Sequence, residues 1–306
     1  MTSSAAPTFV FVLGTGRCGS TLVHDVLARH PAVGSLLNVD DRLRTHVSGR
    51  WGQAIYRRLP VALTEKGRTR LAPSEGYEIL ERRVSPILSR PVRDLVADDA
   101  SPWLAERLRG FFDQLARARR TPVVLHKFTG WPRARFLHAV LPSARFVHVV
   151  RDGRAVANSL LQMPWWRGYE GPEAWGWGPL PDVDEKEWEA SGRSFPVLAA
   201  LQWRLLMDAF DDARDAIPAD LWHEARFEDF VDSPREGTRS LLEFVGLTWT
   251  DAFERNFRHH RFRTARKDAF LRDLGRRDLE DVEGILAERL ERLGYARASG
   301  GGGVSA

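Results

Sequence analysis

The chain has 306 residues, of which 43% are hydrophobic and 28% are charged, and its formal net charge is +4. This composition is typical of a globular protein and excludes a disordered or fibrous chain. The one cysteine, Cys18, excludes an internal disulfide framework and agrees with a reducing compartment. No stretch reaches the roughly 20 apolar residues of a membrane span, and the start lacks the basic segment of a signal peptide. We expect a cytoplasmic protein that does not span a membrane.

The positive net charge also bears on partners. Basic clefts concentrate anions, so the charge favours an anionic ligand. Nucleic acid is not expected, because the chain has no basic helix interleaved with aromatic residues and no zinc-finger or RNP-type motif.

The predicted elements alternate between strands and helices. Phe9–Leu13 is an apolar run that enters a glycine-rich loop, and a helix begins near Ser20. Two further buried strands are predicted at Val123–Leu125 and Phe146–Val150. Helices are predicted at Leu104–Arg119, Ala134–Leu141, Ala155–Met163, Val197–Ala216 and Leu279–Leu293. This alternation predicts a three-layer α/β/α fold with a central parallel sheet and a P-loop-like phosphate-binding loop.

The chain shows no internal repeat and no linker between residues 8 and 296. We therefore predict one domain over 8–296. A loop-like stretch rich in Trp, Gly and Pro forms an insertion at about 163–190. Residues 297–306 are rich in glycine, which predicts a flexible tail.

The first loop departs from the nucleoside-triphosphate pattern G-x-x-x-x-G-K-[ST] at one position. Gly14, Gly19 and Thr21 match, but Ser20 stands where the lysine is expected and a basic residue occurs earlier, at Arg17. Glycines let backbone N–H groups approach a phosphate, and the following helix directs its positive end at an anion. The alternative is that the glycines serve tight packing only. The predicted phosphate site comprises Gly14, Thr15, Gly16, Arg17, Cys18, Gly19, Ser20, Thr21 and Leu22.

A second strand-to-helix junction lies at 146–160. The strand leads to Arg151, a tight Asp152-Gly153 turn follows, and the next helix carries Ser159. Ligands of open α/β sheets bind at the carboxyl ends of the strands, and an arginine fork matches two phosphate oxygens. Pairing of Arg151 with Asp152 or a surface carboxylate is the alternative.

Together the two junctions resemble the sulfotransferases that use 3′-phosphoadenosine 5′-phosphosulfate (PAPS). Residues 17–21, RCGST, match the family's loop [R/K]-x-G-[S/T]-[S/T], and residues 151–159 match its motif R-D-x-R-x-x-x-x-S. Phe227–Phe230, Leu242–Leu247 and Arg292–Tyr295 look like later family segments, so the resemblance covers residues 9–295.

The resemblance implies a PAPS donor and no metal. Arg17 and the loop are expected to hold the 5′-phosphosulfate, and Arg151 and Ser159 the 3′-phosphate. The basic stretch 261–267 is similar to a late loop that closes over that phosphate, through Arg263 and Lys267; a solvated basic segment is the alternative. Where the family often has Tyr, this chain has Phe227.

Sulfuryl transfer needs a base for the acceptor hydroxyl and stabilisation of the leaving oxygen. Arg17 and the loop N–H groups are the expected stabilisers. Some family members use a Glu after a His-Pro pair, which here favours Asp40 as the base and then Asp41, unless the two form a helix cap or surface turn. The rival base is His126, whose neighbour Lys127 is expected to reach the bridging oxygen.

The tryptophans of the insertion bear on the acceptor. Indole faces suit sugars, phenols or apolar molecules, and we expect Trp165 and Trp166 to line the acceptor site while most of the others pack the insertion onto the domain. The acceptor is predicted to be a hydroxyl of a small molecule, a saccharide or a lipid-like compound. A nucleotide or metabolite kinase and a catalytically silent nucleotide-binding protein are the alternatives. Oligomeric state stays open, with a homodimer as one option.

Overall fold

The computed structural model describes residues 6–43, 47, 49–60 and 72–298. Within them, one parallel sheet has the strand order β2-β3-β1-β4-β5. The strands are β1 (Thr8–Gly14), β2 (Val33–Ser35), β3 (Val123–Thr129), β4 (Arg145–Val150) and β5 (Trp222–Arg226). The predicted α/β class with a central parallel sheet is confirmed.

Helices cover both faces of this sheet. In the described part of the chain they are α1 (Ser20–Ala28), α2 (Asn38–Leu43), α3 (Arg50–Arg58), α4 (Tyr77–Arg83), α5 (Pro102–Arg119), α6 (Ala134–Val140), α7 (Gly153–Leu161), α8 (Asp182–Ala190), α9 (Phe195–Ala216), α10 (Phe227–Asp232), α11 (Pro234–Phe244), α12 (Asp251–Phe257), α13 (Phe270–Asp273) and α14 (Arg276–Arg292). The helices predicted from hydrophobic spacing occur within three residues of their expected bounds. The short elements β2 and β5 were not predicted.

The strand residues alternate between two cores. Phe9, Phe11 and Leu13 of β1 pack with residues of α5, α7 and α9. Val10 and Val12 point the other way and pack with residues of α1, α11 and α12. Successive strand side chains point to opposite faces, so a strand buried on both faces reads as a continuous apolar run.

The central strand β1 brings the two predicted motifs together. It pairs with β3 on one side and β4 on the other, and Gly14 at its end is level with Thr129. The carboxyl ends of β1, β3 and β4 therefore meet at the edge where the strand order reverses, which is where open α/β sheets bind ligands.

The insertion is irregular only in its first part. A single 3₁₀ turn occurs at Gly168–Glu170, and then α8 covers most of the segment's end. The single-domain assignment of 8–296 stays a prediction, and the predicted tail lies outside the described residues from 299 onward. Across the described ranges, no helix has the length and apolarity needed to cross a bilayer.

Candidate functional site

The loop after β1 has an unusual backbone. Gly16, Arg17 and Gly19 all have positive φ angles, of 81°, 57° and 94°. This region is uncommon for a residue with a side chain, so Arg17 is held there by its surroundings. Successive residues in such conformations gather their N–H groups into a concave anion site, and α1 begins directly afterwards at Ser20.

Tight packing explains two of the loop glycines but not the third. A Cβ on Gly14 would overlap Cys18 Sγ, and one on Gly19 would overlap the ring of Phe227. A Cβ on Gly16 would meet no atom within 4 Å outside its two neighbours in the chain. Gly16 is therefore favoured by its backbone conformation alone, next to open space in which a ligand can lie.

The remaining loop residues divide between core and surface. Thr15, Cys18 and Ser20 are buried, and the Thr15 hydroxyl donates to the Gly16 carbonyl over 3.2 Å. Thr21 is exposed and Leu22 is half-buried. The loop thus presents its backbone and the Thr21 hydroxyl to the sheet edge.

Lys127 lies where the loop lacks its lysine. From the end of β3, its Nζ donates to Thr21 Oγ1 over 2.7 Å and forms an ion pair with Glu75 Oε1 at 2.7 Å. The lysine side chain is only 3% exposed. In loops that bind nucleoside triphosphates, the motif itself carries the lysine. Here the neighbouring strand β3 supplies it, as Lys127.

Glu75 is a site residue that the sequence interpretation missed. It precedes α4, and two contacts fix its segment: an isolated bridge joins Pro73 to Leu37, and Tyr77 Oη accepts from the Thr129 N–H over 3.2 Å. Its carboxylate side chain is 18% exposed, so it is accessible beside the buried lysine. No local pattern marks Glu75, because contacts distant in sequence bring it to the sheet edge.

Asp41 forms hydrogen bonds with the segment that carries Glu75. Its carboxylate accepts from the Ser74 hydroxyl over 3.2 Å and from the Ile79 N–H over 3.0 Å. Burial raises the pKa of Asp41, while the Ile79 and Ser74 hydrogen bonds oppose that rise. Both oxygens are engaged on either side of Glu75, so Asp41 orients the carboxylate-bearing turn.

The structure places Asp40 in a buried ion pair. It is fully buried, its Oδ2 pairs with the guanidinium of Arg119, and the same atom accepts from the Leu37 N–H over 2.8 Å. A base must reach the proton it removes, and this carboxylate instead neutralises a buried arginine. The contacts of Asp40 therefore do not favour it as the base.

The structure also removes His126 from the site. Strand alternation points it to the face opposite Lys127, where it is 1% exposed and packs against Phe112 and Phe128. Neither ring nitrogen has a hydrogen-bond partner among the described residues, and burial lowers the pKa of His126 to about 3. The alternation of β3 was visible in the sequence and allows only one of the two residues to face the loop.

The two predicted motifs meet through their side chains. Arg17 Nε donates to Ser159 Oγ over 2.9 Å, across 142 positions of sequence. Arg151 Nη1 donates to the Arg17 carbonyl over 2.8 Å. Burial away from water is the main cause that lowers the pKa of Arg17 and that of Arg151, and the nearby charge of Arg266 adds to the lowering at Arg17. An anionic ligand would offset this cost of burial.

Arg151 is oriented by a ring and by backbone carbonyls, and it forms no ion pair with the described residues. It lies over the ring of Phe227 at 4.7 Å, and Nη2 donates to the Arg266 carbonyl over 2.7 Å. Its neighbour Asp152 pairs instead with Arg154 at 2.7 Å. The buried Nε of Arg151 has no hydrogen-bond partner in the part of the chain that the structure describes.

The basic segment 261–267, which follows α12, lies against Arg151. Arg266 touches Arg151 through its carbonyl, while Arg263 is exposed. Lys267 pairs with Asp232 at 2.7 Å, so it is engaged by a carboxylate. The segment therefore borders the Arg151 cluster, and the side chains of its three arginines, at positions 261, 263 and 266, are all exposed.

The tryptophans largely pack the insertion. Trp166 is 5% exposed and its Nε1 donates to Gln202 Oε1 over 2.8 Å, so this indole packs the insertion onto the domain. Trp165 is 56% exposed. A different indole, that of Trp177, contacts Gly130 just beyond β3 and lies 6.4 Å from the Trp131 ring. This contact brings the insertion to the strand that carries Lys127.

Three solved structures share this fold at low sequence identity. Sulfotransferase STF9 from Mycobacterium avium is 17% identical, with a TM-score of 0.57, over 96% of this chain and 78% of that one. Sulfotransferase STF1 from Mycobacterium tuberculosis H37Rv is 17% identical, with a TM-score of 0.56, over 93% and 77%. The sulfotransferase domain from the curacin biosynthetic pathway is 12% identical, with a TM-score of 0.53, over 96% and 99%. No curated protein sequence matches this chain.

A family model described as the sulfotransferase family matches residues 7–251. The match spans the loop after β1, Lys127 and the Arg151 motif. The chain therefore belongs to the sulfotransferase family.

Proposed function

We propose that this sulfotransferase takes its sulfuryl group from PAPS and transfers it to a hydroxyl acceptor. The observation that carries the proposal is the cluster in which Arg17 joins Ser159 and Arg151. This cluster links the predicted 5′-phosphosulfate loop to the predicted 3′-phosphate motif, as a ligand with two separate anionic groups requires.

The residues present suit such a nucleotide. The buried, unpartnered Nε of Arg151 is a donor that an anionic oxygen would satisfy. The positive φ of Gly16 and the open space above it leave room for a phosphate against the loop backbone. Arg17, Gly19, Ser20 and Thr21 would hold the 5′-phosphosulfate, and Arg151 and Ser159 the 3′-phosphate, with Arg263 and Lys267 at the border.

Glu75 and Lys127 provide the acid–base part of the site. PAPS, when bound, supplies a sulfuryl group attached to a stable bisphosphate leaving group. Glu75 accepts the proton of the acceptor hydroxyl as that oxygen attacks sulfur, and Lys127 with Arg17 and the loop N–H groups stabilises the negative charge on the departing oxygen. Positioning and charge stabilisation carry most of the acceleration.

The acceptor is proposed to lie between Glu75 and the insertion. Trp177 and Trp131 border the end of β3, and the Tyr77 hydroxyl lies within hydrogen-bond distance of Thr129 Oγ1, at 3.3 Å. Aromatic faces with one convergent carboxylate suit a small-molecule, saccharide or lipid-like alcohol or phenol. The buried Cys18 supports a reducing, cytoplasmic location.

The position of Lys127 also supports the alternative that the protein is a kinase, because it places a lysine beside Thr21. Transfer of ³⁵S from labelled PAPS to a panel of phenols, sugars and long-chain alcohols separates the two, with transfer of ³²P from γ-labelled ATP in a parallel series. We expect labelled sulfate esters and no labelled phosphate esters. Phosphate transfer without sulfate transfer would support the kinase instead.

A further inference from the structure

The carboxylate of Glu228 binds the backbone of the turn that follows Arg151. The backbone N–H of Asp152 donates to Glu228 Oε1 over 3.1 Å. The other oxygen, Oε2, accepts from Tyr295 Oη over 3.0 Å. Glu228 comes from the start of α10 and Tyr295 from the end of the described chain, so two distant segments meet behind one backbone amide.

The surroundings of Tyr295 fix its hydroxyl group as a hydrogen-bond donor. Its ring lies under the guanidinium of Arg226 at 3.9 Å, and Arg226 donates to the Leu293 carbonyl over 2.9 Å. The tyrosine is 9% exposed, and burial with the nearby Glu228 charge raises its pKa far above the usual range. Tyr295 therefore keeps its proton and donates it to Glu228.

The side chain of Asp152 is anchored separately. Its carboxylate pairs with Arg154, which also pairs with Glu283 of α14. The backbone amide contact to Glu228 thus adds a second restraint to the residue that follows Arg151. Arg151 itself donates to two carbonyls and stacks on Phe227, so its remaining N–H groups have little freedom to adjust if the turn moves.

We propose that Glu228 and Tyr295 are positioning residues which, through the Asp152 amide, set the Arg151 fork for the 3′-phosphate of the donor; this inference rests on the proposed function. Neither side chain is proposed to contact the nucleotide. A fork that bonds two oxygens at once loses much of its binding when it shifts by a fraction of an ångström. The two residues should therefore affect discrimination of the 3′-phosphate more than nucleotide binding in general.

The test is calorimetric titration of the full chain and its variants with adenosine 3′,5′-bisphosphate and with adenosine 5′-phosphate. The ratio of the two dissociation constants measures 3′-phosphate preference. We expect Tyr295→Phe, which keeps the ring on Arg226, to lower the ratio about 5- to 10-fold, and Glu228→Ala to lower it about 30-fold, with adenosine 5′-phosphate binding unchanged. Tyr169→Phe, at an exposed tyrosine of the insertion, is the matched control and should leave the ratio at the wild-type value.

A double-mutant cycle separates positioning from general support of the fold. In an Arg151→Ala background, Tyr295→Phe should no longer change the ratio, because the group that it positions is absent. Equal weakening of both nucleotides, or an unchanged ratio in both variants, would overturn the inference. A wild-type protein that shows no 3′-phosphate preference would instead overturn the proposed function, so the two failures are distinguishable.

Discussion

Glu75 Oε1 lies 2.7 Å from Lys127 Nζ, and the same nitrogen donates to Thr21 of the phosphate-binding loop over 2.7 Å. One lysine therefore joins a partly accessible carboxylate to the loop that is proposed to hold the sulfuryl group. The chain lacks a lysine at position 20, and β3 supplies one in its place. The proposed base and the proposed charge stabiliser are therefore neighbouring side chains.

Glu75→Gln should reduce sulfate transfer by about 10²- to 10⁴-fold, which is the usual range for loss of a general base. Affinity for adenosine 3′,5′-bisphosphate should change by less than about threefold, because the proposed nucleotide contacts come from other residues. Transfer of ³⁵S from PAPS and calorimetry measure the two quantities. Glu78→Gln, on an exposed face of α4, is the control. Full turnover in Glu75→Gln would move the base elsewhere.

Asp40→Asn should destabilise the protein rather than remove the base. The substitution removes the carboxylate charge that pairs with the buried Arg119, and breaking such a pair costs about 3–5 kcal/mol. Urea unfolding measures the loss, and Asp98→Asn at an exposed position should change stability by less than about 0.5 kcal/mol. A fully stable Asp40→Asn protein with lost turnover would restore Asp40 as the base.

His126→Phe should leave turnover intact and stabilise the protein by about 1–3 kcal/mol, since two buried unsatisfied nitrogens disappear. The folded-state pKa of His126, about 3, lies below its ordinary value of 6.5. The neutral ring is favoured on folding, so the wild type loses stability as pH falls from 6.5 towards 3, and the variant should lose less. Unfolding at a series of pH values measures this. A folded variant without transfer activity would return His126 to the site.

Gly130→Ala should raise the KM for the acceptor while leaving donor affinity unchanged. A Cβ there would overlap the Trp177 ring, so the indole must move away from the end of β3. Gly192→Ala is the matched control, because Gly192 also has a positive φ, of 71° against 87° for Gly130, but its Cβ would meet no atom within 4 Å outside its two chain neighbours. Steady-state kinetics with each substrate varied separates the effects. Equal changes in both variants would show that backbone strain alone acts.

The parts of the site that follow from local rules could be predicted from the sequence. The glycine loop and the Arg151 turn each follow a strand, and carboxyl ends of parallel strands share one edge. Their meeting, through Arg17 and Ser159, agrees with that rule. The alternation of β3 also separates Lys127 from His126, which a closer application of strand periodicity would have predicted.

The base could not be predicted in the same way. Asp40 and Asp41 are adjacent, but α2 turns one towards buried Arg119 and the other towards Ser74. Glu75 follows a stretch without periodicity and reaches the site only through tertiary contacts. Sequence spacing carries no information on such contacts, which depend on the packing of distant segments.

The most direct measurement is calorimetric titration of the full chain with adenosine 3′,5′-bisphosphate and, separately, with ATP and Mg²⁺. A site that reads a 3′-phosphate through Arg151 should bind the bisphosphate at least about tenfold more tightly, because a charged hydrogen-bonded fork contributes more than 1.4 kcal/mol. Equal or tighter binding of ATP would contradict the proposed donor and favour the kinase alternative.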